Sequence, residues 1–430
     1  MSNTIAEVPP VLDREQKRSV RIRWFLVGFL VLGGVVNYLD RSTLSVANLT
    51  IAQEFNLNEL QMGLLLSAFS WPYAIANLPA GYLVDKFGPK KMFAFAAGGW
   101  SIVSMVTAAA NSFGFLYAAR VALGITEAPF FTSALKVNER WFNKSERALP
   151  VSLVNTGSQI ANAIAPPLLT FLLLTMSWRG MFIIVGALGI VIALVWLRIY
   201  RDPTLKEQAM IKGDEAHAKV IASVEKVAWG TLFAQRNTWF MILGAFGIFY
   251  TVWVYLTWLP SYLQTARGFS LAESGGIAAL PFLCGIVGVL FGGWLSGRLI
   301  KRGVPTVLSR KIPIVGGALL AAAAVLPLAY VDSTPLAIAL LSLGYFASQI
   351  PIGCLWTLAS DVAPSNQVAS LGAIQNFGGF IGAAAAPVVT GAILTATGGN
   401  YTFVFLIGGV LLLVGALSYG LFVKDRSTVA

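Results

Sequence analysis

Between Arg179 and Arg198 the chain reads Gly180 to Leu197, GMFIIVGALGIVIALVWL, eighteen residues without a charge. As a helix rising 1.5 Å per residue, such a run covers most of the roughly 30 Å hydrocarbon core of a bilayer. It has none of the period-two alternation of a barrel strand, and a helix satisfies every backbone polar group inside lipid. The same ruler, moved outward, finds spans near 22–46, 60–84, 91–110, 113–135, 147–172 and 179–200. After a polar stretch it finds 237–264, 271–299, 310–330, 335–361, 367–396 and 400–423. The 430 residues are 57% hydrophobic and 11% charged, with mean hydropathy +0.73. A soluble domain carries about 25% charged residues, so this chain lacks the polar surface to stay in water. The sequence predicts an all-α integral membrane protein of about twelve spanning helices in two six-helix bundles.

The net charge is +11, and its distribution argues against nucleic acid as the partner. Of 30 Lys and Arg, Arg41 and Arg120 fall inside spans and Arg179 and Arg267 on one set of connections. The other 26 lie at the ends of the chain and on the even-numbered connections. That asymmetry is the positive-inside pattern, and it places both termini in the cytoplasm. The basic start (Arg14, Lys17, Arg18, Arg21, Arg23) leads into a full-length apolar helix with no small-residue cleavage site, so no cleaved signal is expected. Cys284 and Cys354 both fall within spans and read as small buried residues, not as a disulfide.

The polar stretch 201–236 divides the chain near its middle and holds the single histidine, His217. Expected boundaries are a cytoplasmic tail over 1–21, a bundle over 22–200, a cytoplasmic linker over 201–236, a bundle over 237–423 and a tail over 424–430. The halves repeat. Asn155-Thr156-Gly157 with Ile160, Ala165 and Pro166 returns as Asn376-Phe377-Gly378 with Ile381, Ala386 and Pro387, an offset of 221. Gly81-Tyr82-Leu83 returns as Gly293-Trp294-Leu295, an offset of 212. Parallel six-helix repeats build alternating-access carriers, with the substrate site at the midplane between them.

Between the second and third spans stands Gly81-Tyr82-Leu83-Val84-Asp85-Lys86-Phe87-Gly88-Pro89-Lys90-Lys91. It resembles the signature loop of the major facilitator superfamily nearly throughout. Gly81 permits close packing, Asp85 can accept hydrogen bonds from a neighbouring helix N-terminus, and Gly88-Pro89 makes the turn. The resemblance implies a gating role for Asp85, Lys86 and Gly88, as a latch of the outward-open state. The counterpart in the second half has Gly297 where the acid should stand, so a second latch is degraded.

Ionisable residues inside hydrocarbon are costly and mark function by default. Here they are Asp40 and Arg41 in the first span and Arg120 and Glu127 in the fourth. With His217 outside the spans, proton coupling falls to Asp40 and Glu127. Arg41 and Arg120 offer planar, permanently charged forks suited to a carboxylate. The alternative is that the four only lock helices together as buried ion pairs. Mid-span Asn37, Tyr38, Tyr73, Asn77, Asn155, Gln159 and Asn376 supply more polarity than locking requires.

Asn37-Tyr38-x-Asp40-Arg41, Ser67-Ala68-Phe69-x-Trp71-x-Tyr73, Glu127-Ala128-Pro129 and Trp141-Phe142 with Glu146-Arg147 resemble the anion:cation symporter family from about 20 to 425. That family includes bacterial galactonate, glucarate and hexuronate transporters, sialin and the vesicular glutamate carriers. The resemblance implies proton-coupled uptake of a small organic anion, often a sugar acid, across the bacterial inner membrane, with no cofactor besides the proton. Carried over by position, Asp40 and Glu127 couple protons, and Tyr38, Arg41, Tyr73, Arg120, Gln159, Trp356 and Asn376 bind substrate. Monomeric function is the superfamily expectation. Ala245, Gly353 and Leu355 depart from the pattern of sugar-acid members, pointing to a less hydroxylated substrate, while Lys136-Val137 and Asn155-x-Gly157 lean to the hexuronate branch. Lys136 reads as a gate residue or as a lysine that snorkels from a helix end, with snorkelling favoured. Sodium-coupled or passive anion carriage and drug/proton antiport remain open. No nucleophile–base set, metal-ligand spacing or phosphate loop suggests an enzyme.

Overall fold

The structure, a computed structural model, describes residues 14–143, 146, 148–212, 230–362 and 368–423. His217, Arg147, the tails 1–13 and 424–430 and the linker segment 213–229 lie outside the described residues.

The described chain is helical throughout. Helices α1 (Arg14–Val46), α2 (Asn48–Phe55), α3 (Glu59–Ser67), α4 (Ser70–Phe87), α5 (Pro89–Thr107), α6 (Phe113–Glu127), α7 (Pro129–Trp141) and α8 (Ala148–Ile199) form the first half. Short helices α9 (Leu205–Lys212) and α10 (Gly230–Phe233) follow. The second half holds α11 (Arg236–Thr265), α12 (Leu271–Lys301), α13 (Thr306–Val325), α14 (Thr334–Gln349), α15 (Ile352–Val362), α16 (Val368–Thr397) and α17 (Thr402–Leu417). Within α8 the backbone turns at Ser177, whose φ of 74° lies in the left-handed region, so this element is two spans joined end to end. Three other spans are broken, at Ala68–Phe69 between α3 and α4, at Ala128 between α6 and α7 and at Ile350–Pro351 between α14 and α15. The second break precedes Pro129, which has no N–H to carry the helix ladder onward. Counting α3–α4, α6–α7 and α14–α15 as one span each and α8 as two gives twelve spans, arranged as two six-helix bundles.

The repeat is visible in the helix starts. Asn58 caps α3 with Gln61 reaching back, and Ser270 caps α12 with Glu273 reaching back. Both are reciprocal capping boxes, 212 residues apart. Gly63 and Gly275 share that offset, and each lies where its helix crosses the opposite bundle. A Cβ on Gly63 would strike the Pro387 carbonyl of α16, and one on Gly275 would strike the Thr170 side chain of α8. Gly391 of α16 packs in return on the Glu59 carbonyl.

These crossings lie at one face of the molecule, opposite the basic connections. Around them Ser67 Oγ donates to the Ala384 carbonyl at 2.7 Å, the Leu60 N–H to Thr395 Oγ1 at 3.0 Å and Ser45 Oγ to the Thr257 carbonyl at 3.0 Å. Both arginines of this far face act as clamps. Arg179 holds Glu54 at 2.6 Å, with Trp178 Nε1 on the same carboxylate, and these donors keep the Glu54 carboxyl below its usual range. Arg267 donates to the Val331 and Asp332 carbonyls. The two halves are therefore joined at the far face. Asn155, Phe377 and Trp356 are exposed.

Candidate functional site

Asn37, Tyr38 and Arg41 are spaced by three and four on α1 and so share one helix face. Opposite them α6 delivers Arg120 and Glu127, seven residues apart on one face. Close approach depends on Gly124, one turn before Glu127. A Cβ there would collide with the Phe69 carbonyl at the break between α3 and α4. Because the position is glycine, Glu127 reaches the aromatic cluster at the start of α4.

There Arg41 Nε donates to Glu127 Oε2 at 2.7 Å, and the Glu127 side chain is fully buried. The rings of Tyr38, Phe69 and Tyr73 each lie 4.6 Å from the Arg41 guanidinium carbon. Cation–π contact compensates part of the hydration that buried Arg41 gives up. Asp40, one residue away, turns to the other side, where its carboxylate accepts from Ser104 of α5. Arg120 reaches Thr43 Oγ1 at 3.4 Å, and its guanidinium stands 5.7 Å from the Phe182 ring. Three ionic atoms here have no hydrogen-bond partner, namely Asp40 Oδ2, Glu127 Oε1 and Arg41 Nη2. Buried charges without full partners are expensive, which suits groups that exchange protons or meet a charged ligand.

Tyr38, Arg41 and Arg120 line a cavity of about 50 Å³ between the two halves, with Ser42, Ser70 and Asn162 of the first half and Trp253, Leu256 and Thr257 of the second. Tyr73 stands behind this lining, stacked on Phe69 and 5.2 Å from the Phe380 ring of α16. Gln159, Trp356 and Asn376 do not line it. Gln159 and Asn376 are half-buried, and Trp356 is 47% exposed. Ser70, Asn162, Trp253 and Thr257 are lining residues that sequence reasoning missed. Asn162 alone had a signal, standing one helical turn after Gln159. The expected shortage of hydroxyl partners is partly met by Ser70, whose Oγ is buried without a partner. Ser42 and Thr257 direct their hydroxyls to the Tyr38 and Trp253 carbonyls.

At the basic end Lys136 Nζ pairs with Asp85 at 2.9 Å and Glu139 at 2.8 Å. Gly88 makes the adjoining turn with φ 82°, a conformation that favours glycine. Lys86 is exposed, with its ammonium 5.4 Å from the Phe87 ring. Beside it Arg140 pairs with Asp202, and Arg201 forms a two-bonded pair with Glu207 at the start of α9.

The family model described as Major Facilitator Superfamily matches residues 30–387. The chain is 38% identical to the probable L-galactonate transporter of Escherichia coli strain K12, over 98% of this chain and 94% of that one. It is 30% identical to the D-galactonate transporter of Escherichia coli O6:H1, over 95% of this chain and 97% of that one. In fold it is similar to a bacterial homologue of the human lysosomal transporter Spinster, in an inward-facing and occupied conformation. That likeness has a TM-score of 0.77 and 20% identity, and covers 94% of this chain and 98% of the other.

Proposed function

The chain belongs to the major facilitator superfamily, and from that membership we propose that it takes up a small sugar acid together with protons by alternating access. Hexonates lead the substrate class, followed by aldarates and hexuronates, because the two relatives described above carry galactonate in their names. The observation that carries the mechanism is the buried Arg41–Glu127 pair at the edge of a cavity shared by both halves. Asp40, Arg41, Arg120 and Glu127 balance in charge. A substrate carboxylate that claims Arg41 must displace Glu127, and a displaced buried carboxylate is stable only as the acid. Substrate binding and protonation of Glu127 therefore favour each other, which is the thermodynamic content of symport. Asp40, set apart on the Ser104 side, serves as the second proton site. Arg120 holds positive charge between the two acids, and Tyr38, Tyr73, Gln159, Trp356 and Asn376 complete the substrate site as the bundles close.

The basic face is assigned to the cytoplasm, with both termini and the linker 201–236 on that side of the bacterial inner membrane. The six-helix bundles span 22–200 and 237–423, and the structure then corresponds to an inward-open state. Asp85, Lys86 and Gly88 belong to the latch that closes this side, and a monomer suffices for transport. The experiment is external pH in lightly buffered, de-energised cells expressing the protein, on adding hexonates, aldarates, hexuronates and small aromatic carboxylates. Alkalinisation with one class, lost in Glu127→Gln, is the expected result. Entry of labelled acid without alkalinisation would replace the proton with sodium coupling or facilitation.

A further inference from the structure

Hydroxyls in membrane helices ordinarily return to their own backbone one turn earlier, and the neighbours of Ser104 do so. Ser101 Oγ donates to the Ala97 carbonyl at 2.6 Å, and Thr107 Oγ1 to the Val103 carbonyl at 2.8 Å. Ser104, equally buried on the same helix, leaves α5 and donates to Oδ1 of Asp40 on α1. We infer that Ser104 is a positioning residue for Asp40, holding the carboxylate in its ionised form and so setting where in pH the carrier releases this proton.

The inference rests on the reading of Asp40 as a proton carrier. The charged groups that reach Asp40 are Glu127 and Arg120 from α6 and Arg41 from its own helix, and α8 contributes the Phe182 ring beside Arg120. Thr43, the other nearby hydroxyl, is turned to the Asp40 carbonyl, not to its carboxylate. Asp40 is fully buried and its Oδ2 has no partner, so Ser104 is its neutral donor among the described residues. A donor of this kind stabilises the carboxylate and gives nothing to the acid unless it rotates. Its removal leaves the proton in place to higher pH.

The test is uptake by proteoliposomes as a function of internal pH, with the hexonate or other acid identified by the alkalinisation panel. Ser104→Ala is expected to move the midpoint of proton release upward by about one pH unit, the scale of one hydrogen bond to a charged group. Ser104→Thr, which keeps the hydroxyl, restores the original midpoint. Ser104→Cys keeps the volume and weakens the donor, and reports the same shift should the alanine variant fail to fold. An unmoved midpoint in the alanine or cysteine variant, with Asp40→Asn inactive in proton-driven uptake, overturns the role of Ser104 alone. Full proton-driven uptake with an unmoved midpoint in Asp40→Asn overturns the reading of Asp40 beneath it.

Discussion

Arg41 Nε stands 2.7 Å from Glu127 Oε2, and that carboxylate is fully buried. The pair joins the first and fourth spans, 86 residues apart in sequence. It also faces a space that both halves share, so what happens to it on binding is felt by the whole carrier. Truncating either partner leaves the other charged and buried, at a cost of about 3–5 kcal/mol. Informative variants must therefore keep the shape.

Arg41→Lys keeps the charge but loses the planar fork and its packing among three rings. Affinity for the transported acid should fall by about a hundredfold, near 3 kcal/mol, while the protein stays monodisperse in detergent. Thermal-shift titration with the acid measures it, and affinity within threefold of the original would show that the guanidinium does not hold the substrate.

Glu127→Gln keeps the volume and the bond to Arg41 but cannot take up a proton. Net uptake driven by a pH gradient should disappear, and exchange of internal for external substrate should persist because it needs no net proton movement. A variant that still concentrates substrate against a gradient would move coupling away from Glu127.

Gly63 and Gly391 let α3 and α16 cross at the far face, and Gly275 lets α12 meet Thr170. An added methyl at such a contact costs about 1–3 kcal/mol, and only when the far face is closed. Gly63→Ala should therefore shift the population toward the far-face-open state by roughly 5- to 150-fold. At Gly276 an added Cβ would meet open space, with nothing within 4 Å, so Gly276→Ala is the control. Distances between spin labels at the far ends of α3 and α16 would report the change, and equal distance distributions in both variants would contradict it.

The spans were legible because apolar runs of membrane length have few other readings. The breaks at Ala68, Ala128 and Ile350 were hidden, since an averaged apolar window runs straight across them. Asp40, Arg41, Arg120 and Glu127 were conspicuous because a charge in hydrocarbon carries a penalty that sequence alone reveals. Ser104, Ser70 and Thr257 gave no such signal, because a hydroxyl satisfied by its own helix costs nothing and looks the same in sequence as one that reaches across. Trp356, carried over by position as a substrate residue, lies on α15, which begins a new segment after Pro351, and its ring is exposed.

Asp85 and Lys136 form a partly exposed pair, with 65% and 26% of their side chains accessible. Such pairs contribute about 0–1 kcal/mol, so Asp85→Asn should leave thermal stability nearly unchanged. If the loop acts as a latch in the other conformation, transport should nonetheless fall severalfold at normal expression. Uptake equal to the unsubstituted protein would remove the latch role.

Arg201 holds Glu207 through two bonds of 2.6 and 2.7 Å, and the Thr204 N–H adds a third to the same carboxylate. The Arg201 guanidinium beside it holds the Glu207 carboxyl down at about 2, against about 4.3 for an unperturbed glutamate. A depressed folded value means that the carboxylate contributes to docking α9 above about pH 4.3 and loses that contribution as pH falls toward 2. Glu207→Gln should reproduce at neutral pH what acid does to the native residue. Hydrogen exchange of the 205–212 amides is the measurement, with faster exchange expected in the variant while exchange in α5 and α11 stays as it was. Equal protection in both proteins would mean that contacts of α9 with α1 and α7 hold the segment without the carboxylate. In that case acid should not release it either.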